Sequence, residues 1–194
     1  EVIAARGVGA TLGFFLAIFV GRMDPRIGLI AGFTVQTLSG VWLMAIDLNV
    51  DMNTLMLNSL LQGIAVGVIW VPLTLVTFSN MSGANLAEGT AVYHLLRNIG
   101  SSFFISICVA EIVRATSTNY SRMVELVNPY NKSLALPWVT GGWDYETVSG
   151  LAKLSREINR QAAMIGYINA FGLYTAASAM AIPLILLIGR RARR

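Results

Sequence analysis

An all-α integral membrane bundle is the fold class that this sequence predicts, and three observations predict it. Of its 194 residues, 55% are hydrophobic and only 12% are charged, about half the charged share of a soluble domain. That leaves too little charge to cover a water-facing surface. The apolar residues fall into five long blocks, each reaching or approaching the roughly 20 residues that carry a helix across about 30 Å of hydrocarbon. Finally, the blocks are continuous, whereas barrel strands are short and alternate in polarity. Backbone groups in lipid must be satisfied within their own segment, which leaves the helix.

The five predicted spans cover residues 2–20, 27–46, 54–78, 89–113 and 163–189. The first opens at the second residue of a chain without an initiator methionine, so the sequence reads as a truncated piece of a longer protein. A tight basic turn, Gly21-Arg22-Met23-Asp24-Pro25-Arg26, joins it to the second span, and Asp47 to Asn53, with two aspartates and no lysine or arginine, leads to the third. A small polar connection, Ser79 to Glu88, leads to the fourth span. An insert over 114–162 separates the fourth from the last span, and a basic tail over 190–194 ends the chain.

Within the insert, Asn128-Pro129, Pro137 and Gly141-Gly142 punctuate the chain. Val148, Leu151, Leu154 and Ile158 then recur at helical spacing with Lys153, Arg156, Glu157 and Arg160 between them. This predicts an amphipathic helix running directly into the last span. Trp138 and Trp143 suit a membrane interface. Asn119-Tyr120-Ser121 and Asn131-Lys132-Ser133 fit the glycosylation pattern, but three-residue matches arise by chance and carry no inference.

Charge sets the expected orientation. The first turn and the tail lie on one side of a five-span chain and hold six arginines, Arg22, Arg26, Arg190, Arg191, Arg193 and Arg194. The insert also holds six lysines and arginines, but it carries acids and is long enough to fold, which weakens its vote. The turn and tail are therefore expected on the cytoplasmic side and the insert on the periplasmic side. The net charge of +4 does not indicate nucleic-acid binding, because the basic residues cluster at span ends and offer no groove-reading element. Cys108 is the single cysteine and reads as a small core residue, and no metal-ligand spacing is present in the sequence.

Polar residues inside spans mark faces turned to protein or water. The fourth span gathers Thr90, His94, Arg97, Asn98, Ser101 and Cys108 on one face. Arg97 lies about two turns inside and must meet carbonyls, an acid or a water-filled cavity; it either lines a pathway or gate or ties the span end to a neighbouring loop. His94 is the single histidine; a proton-relay role and a hydrogen-bonded structural role both fit it. Gln36, Asn58, Gln62 and Trp70 are the further candidates for facing a cavity. Gly9 and Gly13, Gly28 and Gly32, and Gly63 and Gly67 have the four-residue spacing that lets helix backbones approach. Tyr167, Tyr174 and Ser178 share a face of the last span, and Pro72 and Pro183 are potential kink sites. No aspartate or glutamate sits deep in any predicted span, so a proton-coupling carboxylate is expected upstream.

Four segments together carry a resemblance. Gly21-Arg22-Met23-Asp24-Pro25-Arg26 resembles the short basic loop repeated between spans of major facilitator transporters. Gly63-Ile64-Ala65-Val66-Gly67 with Pro72-Leu73-Thr74, and Gly89-Thr90-Ala91 with Leu96-Arg97-Asn98-Ile99-Gly100-Ser101-Ser102, look like successive spans of fourteen-span members. Arg160-Gln161-Ala162-Ala163 with Ile165-Gly166-Tyr167-Ile168-Asn169-Ala170-Phe171 is similar to the last span of EmrB/QacA-type drug:proton antiporters, and the insert resembles that of Gram-negative EmrB-like members.

The resemblance covers essentially the whole chain. It implies the last five of fourteen spans, with the N-terminal half of the transporter upstream and no cofactor beyond the proton gradient. It also implies export of hydrophobic, often cationic compounds across the bacterial inner membrane, with a periplasmic adaptor (a membrane fusion protein) and an outer-membrane channel as partners. The loop residues Gly21, Arg22, Asp24 and Arg26 carry over onto the family's loop motif. The family's membrane-embedded acids have no counterpart here.

The same fold supports a transporter of a specific small metabolite, which would show fixed polar partners in its cavity. A membrane-embedded enzyme would need clustered ligands or a nucleophile with a base, which one histidine, one cysteine and no deep acid do not supply. A non-transporting scaffold would use the insert as its docking surface.

Overall fold

The structure, a computed structural model, describes residues 1–20, 24–79, 81–128, 130–131 and 147–187. Gly21 and Arg22 of the loop motif, Pro137, Trp138, Gly141, Gly142 and Trp143 of the insert, and the basic tail lie outside these.

Five helices make up the described chain: α1 (Val2–Val20), α2 (Pro25–Met44), α3 (Met52–Phe78), α4 (Leu86–Glu125) and α5 (Val148–Leu187), with a 3-10 turn over Gly83–Asn85 before α4. All five are long and apolar enough to cross a membrane, which makes the chain an all-α membrane bundle. Side chains such as Phe15, Phe19 and Phe103, 62%, 70% and 69% exposed, would be untenable in water and are ordinary against lipid.

The helix starts follow from local chemistry. Asp24 caps α2, its Oδ1 accepting from the Arg26 amide at 3.3 Å, and Pro25 occupies the first turn, where its missing N–H costs nothing. Asp51 stands at the cap of α3 without a side-chain bond. Pro72 and Pro183 both lie inside unbroken helices; Pro72 is fully buried, so packing holds it there.

The chain divides into two compact units, one formed by Glu1–Phe104 with the chain from Phe171 onward, the other by Ile105–Ala170. In the first unit α3 packs against both α1 and α2. The α1–α3 seam is built on small residues. Gly9, Gly13 and Ala17, spaced four apart, are the residues of α1 that are buried, and they meet Gly63 and Gly67 of α3. A β-carbon on Gly67 would stand 2.5 Å from the Ala10 carbonyl oxygen and 2.7 Å from the Gly13 α-carbon. One on Gly63 would strike the Arg6 carbonyl and approach the Ala10 nitrogen to 2.8 Å. The helices therefore touch backbone to backbone, the contact that small residues at this spacing permit.

In the second unit α4 and α5 run antiparallel. Tyr120 and Ser155 share a hydrogen bond of 2.9 Å, and Asn169 Nδ2 donates to Glu111 Oε1 at 3.4 Å. Gly166 fits against the backbone of Ile112, where a β-carbon would come within 2.8 Å of its carbonyl oxygen. Ala115, Leu154, Ala162 and Ala170 are the buried apolar residues here. The predicted amphipathic stripe thus buries Leu154, half-buries Ile158 and leaves Val148 and Leu151 exposed. At 40 residues each, α4 and α5 are about 60 Å long, twice the hydrocarbon thickness.

Candidate functional site

Two polar features occupy the first unit. The first is a buried bridge between α2 and α3. Ser39 Oγ donates to Asn58 Oδ1 at 3.0 Å, Asn58 Nδ2 donates to the Ser39 carbonyl oxygen at 3.1 Å, and Gln62 Nε2 donates to Asn58 Oδ1 at 3.2 Å. Ser39 and Asn58 are each 2% exposed. The bridge exists because Ser39 follows the small-residue side of α2 and Asn58 lies one turn before Gln62 on the facing side of α3. A reciprocal pair of this kind fixes the register of two helices where no water competes.

The second is a cavity of about 500 Å³, open on one side. Phe33 and Gln36 come from α2, Trp70 and Leu73 from α3, Tyr93 and Arg97 from α4, and Ser178 from α5, with Val66, Ile69 and Leu96 completing apolar walls. The guanidinium carbon of Arg97 lies 4.2 Å from the centre of the Trp70 ring, a cation–π contact. Arg97 has no ion pair among the described residues, where Arg160–Glu157 at 3.7 Å is the salt bridge found. Gln36 is 8% exposed; its Oε1 meets no donor within strict hydrogen-bond geometry among the described residues, and the Tyr174 hydroxyl lies close enough to interact with its side chain. A second cavity of about 290 Å³ shares Phe33 and Ser178 and adds Phe104, Tyr174 and Ala177. The Tyr174 hydroxyl is likewise buried and outside strict hydrogen-bond geometry with any partner among the described residues.

The sequence candidates therefore separate. Gln36, Trp70 and Arg97 meet at the cavity, whereas Asn58 and Gln62 sit in the α2–α3 bridge. His94 and Asn98 are exposed on α4 and are not among the cavity-lining residues; the His94 ring stands edge-on to Tyr93 at 5.4 Å. Asp24 caps a helix, and Arg26 supplies the amide that it holds. Tyr93 and Phe33 were not singled out from the sequence, because an aromatic residue in a membrane span carries no signal of which neighbour it faces. Phe78 and Tyr93 pack edge to face at 5.4 Å, which seats Tyr93 on the cavity wall. No group of three His, Cys, Asp or Glu residues that could hold a metal occurs among the described residues.

A multi-pass helical membrane protein with an apolar cavity, one cation at its wall and a buried amide is the class that the fold and site define. The chain is similar to curated proteins named for export and resistance. The chain is 26% identical over 136 residues to the fatty acid resistance protein FarB of Neisseria gonorrhoeae, covering 68% of this chain and 27% of that protein. It is 24% identical over 177 residues to the multidrug export protein EmrB of Haemophilus influenzae, covering 88% of this chain and 34% of that one. Against EmrB of Escherichia coli K12 the identity is 24% over 114 residues, 58% of this chain and 22% of the relative. The chain thus spans about a fifth to a third of the length of the curated relatives it matches. No family model matches it, and no solved structure does.

Proposed function

We propose that this chain forms the last five spans of a fourteen-span, proton-coupled efflux transporter of the major facilitator type, resident in the bacterial inner membrane and exporting compounds with a hydrophobic body. The carrying observation is the cavity. A space of about 500 Å³ is the size of a drug-like ligand, and mostly apolar walls with a few convergent polar groups are what such ligands need. The likeness to proteins named for multidrug export over 88% of the chain supports the same reading.

Spans 2–20, 27–46, 54–78, 89–113 and 163–189 cross the bilayer in this scheme, with the turn around Asp24 and Arg26 and the tail on the cytoplasmic side. The insert over 114–162 is periplasmic, where a membrane fusion protein and an outer-membrane channel would continue the path. In such folds the site lies between two repeats that rock about it. Arg97, Gln36 and Trp70 form one wall of that site. Asn58 and Gln62 keep α2 and α3 moving as one body, and His94 and Asn98 extend the polar stripe of α4 toward the upstream half. Proton coupling then rests on carboxylates of that half.

The test is accumulation of hydrophobic fluorescent probes in cells expressing the full-length transporter, with and without a protonophore. The probes are cationic ethidium, neutral N-phenylnaphthylamine and anionic anilinonaphthalenesulfonate. Low accumulation of at least one probe that rises when the gradient collapses is the expected result. Accumulation matching empty-vector cells for all three, with the protein present in the membrane, overturns the reading and moves it to a transporter of a specific metabolite.

A further inference from the structure

We propose that the first half of α4 is the gate of the cavity: it parts from α3 along the line Gly89, Tyr93 and Arg97, while α1, α2 and α3 stay together as a fixed body. This rests on the efflux reading, since a gate serves a cavity that loads and empties.

The three residues stand four apart on α4 and so share one face. Each meets a side chain of α3 or of the turn after it. Gly89 lies under Met81, where a β-carbon would come within 2.8 Å of the methionine ε-carbon. Tyr93 packs edge to face on Phe78 at 5.4 Å, and Arg97 lies over Trp70 at 4.2 Å. All three contacts are of a kind that yields. A thioether chain swings aside, an aromatic edge slides, and a cation–π contact at an exposed arginine is weak. Tyr93 and Arg97 also line the cavity, as do Trp70 and Leu73 of α3, so parting the helices here opens the cavity itself.

The rest of the unit is held differently. α1 and α3 touch backbone to backbone at Gly63 and Gly67, and Ser39, Asn58 and Gln62 lock α2 to α3. By contrast, no residue of α4 over 86–104 is buried. In lipid, an apolar side chain that leaves its neighbour finds acyl chains of the same polarity, so parting loses little beyond the three contacts. One aromatic and one cation–π contact together favour the closed position by only about tenfold. That leaves an open minority large enough for exchange. The polar stripe of Thr90, His94, Asn98 and Ser101 lies on the adjoining face of α4, where protein of the upstream half can take hold of the helix and move it.

The experiment uses the full-length transporter carrying Cys108→Ser. The pairs Phe78→Cys with Tyr93→Cys, and Met81→Cys with Gly89→Cys, are each joined by bis-methanethiosulfonate linkers, one short and one long. The readout is protonophore-sensitive efflux of whichever probe the unlinked protein exports: ethidium, N-phenylnaphthylamine or anilinonaphthalenesulfonate. The short linker should slow efflux about fivefold or more, and reduction should restore it. The long linker should leave the rate within about twofold of the unlinked protein. A short link between Tyr120→Cys and Ser155→Cys, across the packed halves of α4 and α5, should change nothing.

Full efflux under the short linker at Phe78 and Tyr93, or equal loss under both linkers, overturns the proposal; the Met81 and Gly89 pair decides if the first variant fails to fold. Spin labels at Leu75→Cys and Leu95→Cys, both exposed, give a readout independent of transport in lipid nanodiscs. Two interlabel distances are expected, and a single narrow one overturns the gate. Two distances in a protein that exports no probe would overturn the efflux reading and leave the gate standing.

Discussion

The α1–α3 seam and the first half of α4 lie in the same unit and solve opposite problems. Along the seam, Gly9, Gly13, Gly63 and Gly67 bring two backbones into direct contact. Over 86–104, α4 buries no residue within the chain, although Thr90, His94, Arg97, Asn98 and Ser101 lie along it. Close packing in lipid gains nothing from the hydrophobic effect, so it depends on fit and on hydrogen bonds. A helix rich in Val, Ile, Leu and Phe has no such fit to offer and turns those side chains outward. The comparison teaches that glycine spacing marks what is fixed within this chain, and that a polar stripe on an otherwise bulky helix marks what is left for a ligand or for protein beyond it.

The comparison breaks most visibly at the seam. Gly67→Val in the full-length transporter would place a side chain against the backbone of Ala10 and Gly13, which cannot move aside without moving α1. A loss of about 3 kcal/mol or more is expected, seen as collapse of the melting temperature in detergent or loss of protein from the membrane. A variant of near wild-type stability would show that the helices are not in backbone contact.

Next in size is the α2–α3 bridge. Asn58→Ala removes three hydrogen bonds at once and is expected to cost about 1–2 kcal/mol, since bonds between membrane helices are individually modest. A double-mutant cycle with Ser39→Ala should return a coupling energy near the Ser39→Ala loss alone, since the hydroxyl bond is the one that both variants remove, and additivity would show that this bond is not formed.

A smaller effect belongs to Trp70. Trp70→Leu keeps an apolar wall and removes the ring beneath Arg97, so ligand affinity should fall by the about 0.5–1 kcal/mol of an exposed cation–π contact while thermal stability changes little. Equal loss of both would assign Trp70 to packing alone. The smallest effect is expected at Phe103, 69% exposed on α4. Phe103→Ala should shift stability by no more than about 0.5 kcal/mol, and a larger loss would place that face against protein instead of lipid.

Part of the packing was legible in the sequence. The four-residue glycine spacings marked α1, α2 and α3 as helices that a neighbour's backbone can approach. The pairing of Gly9 and Gly13 with Gly63 and Gly67, and not with Gly28 and Gly32, was not legible. Spacing states that a helix can be approached, not by whom; in the structure Gly32 meets the Ile69 side chain instead. The candidate site was legible only as a set. Gln36, Asn58, Gln62 and Trp70 all read as polar or amphipathic residues on inward faces, and nothing in their spacing separated the two that line the cavity from the two that bridge helices.

By itself, then, the sequence determined the fold class and the five apolar helices, because transfer of backbone and side chains into hydrocarbon depends on composition and length, which are local properties. It also determined the continuity of the amphipathic segment into α5, since that depends on residues within a turn or two. The tertiary structure decided which small residues touch, that Asn58 spends its amide on Ser39, and that Arg97 reaches Trp70 across two helices. Those are relations between residues 54, 19 and 27 positions apart in the sequence. Such distances are fixed by packing, and no local preference encodes them.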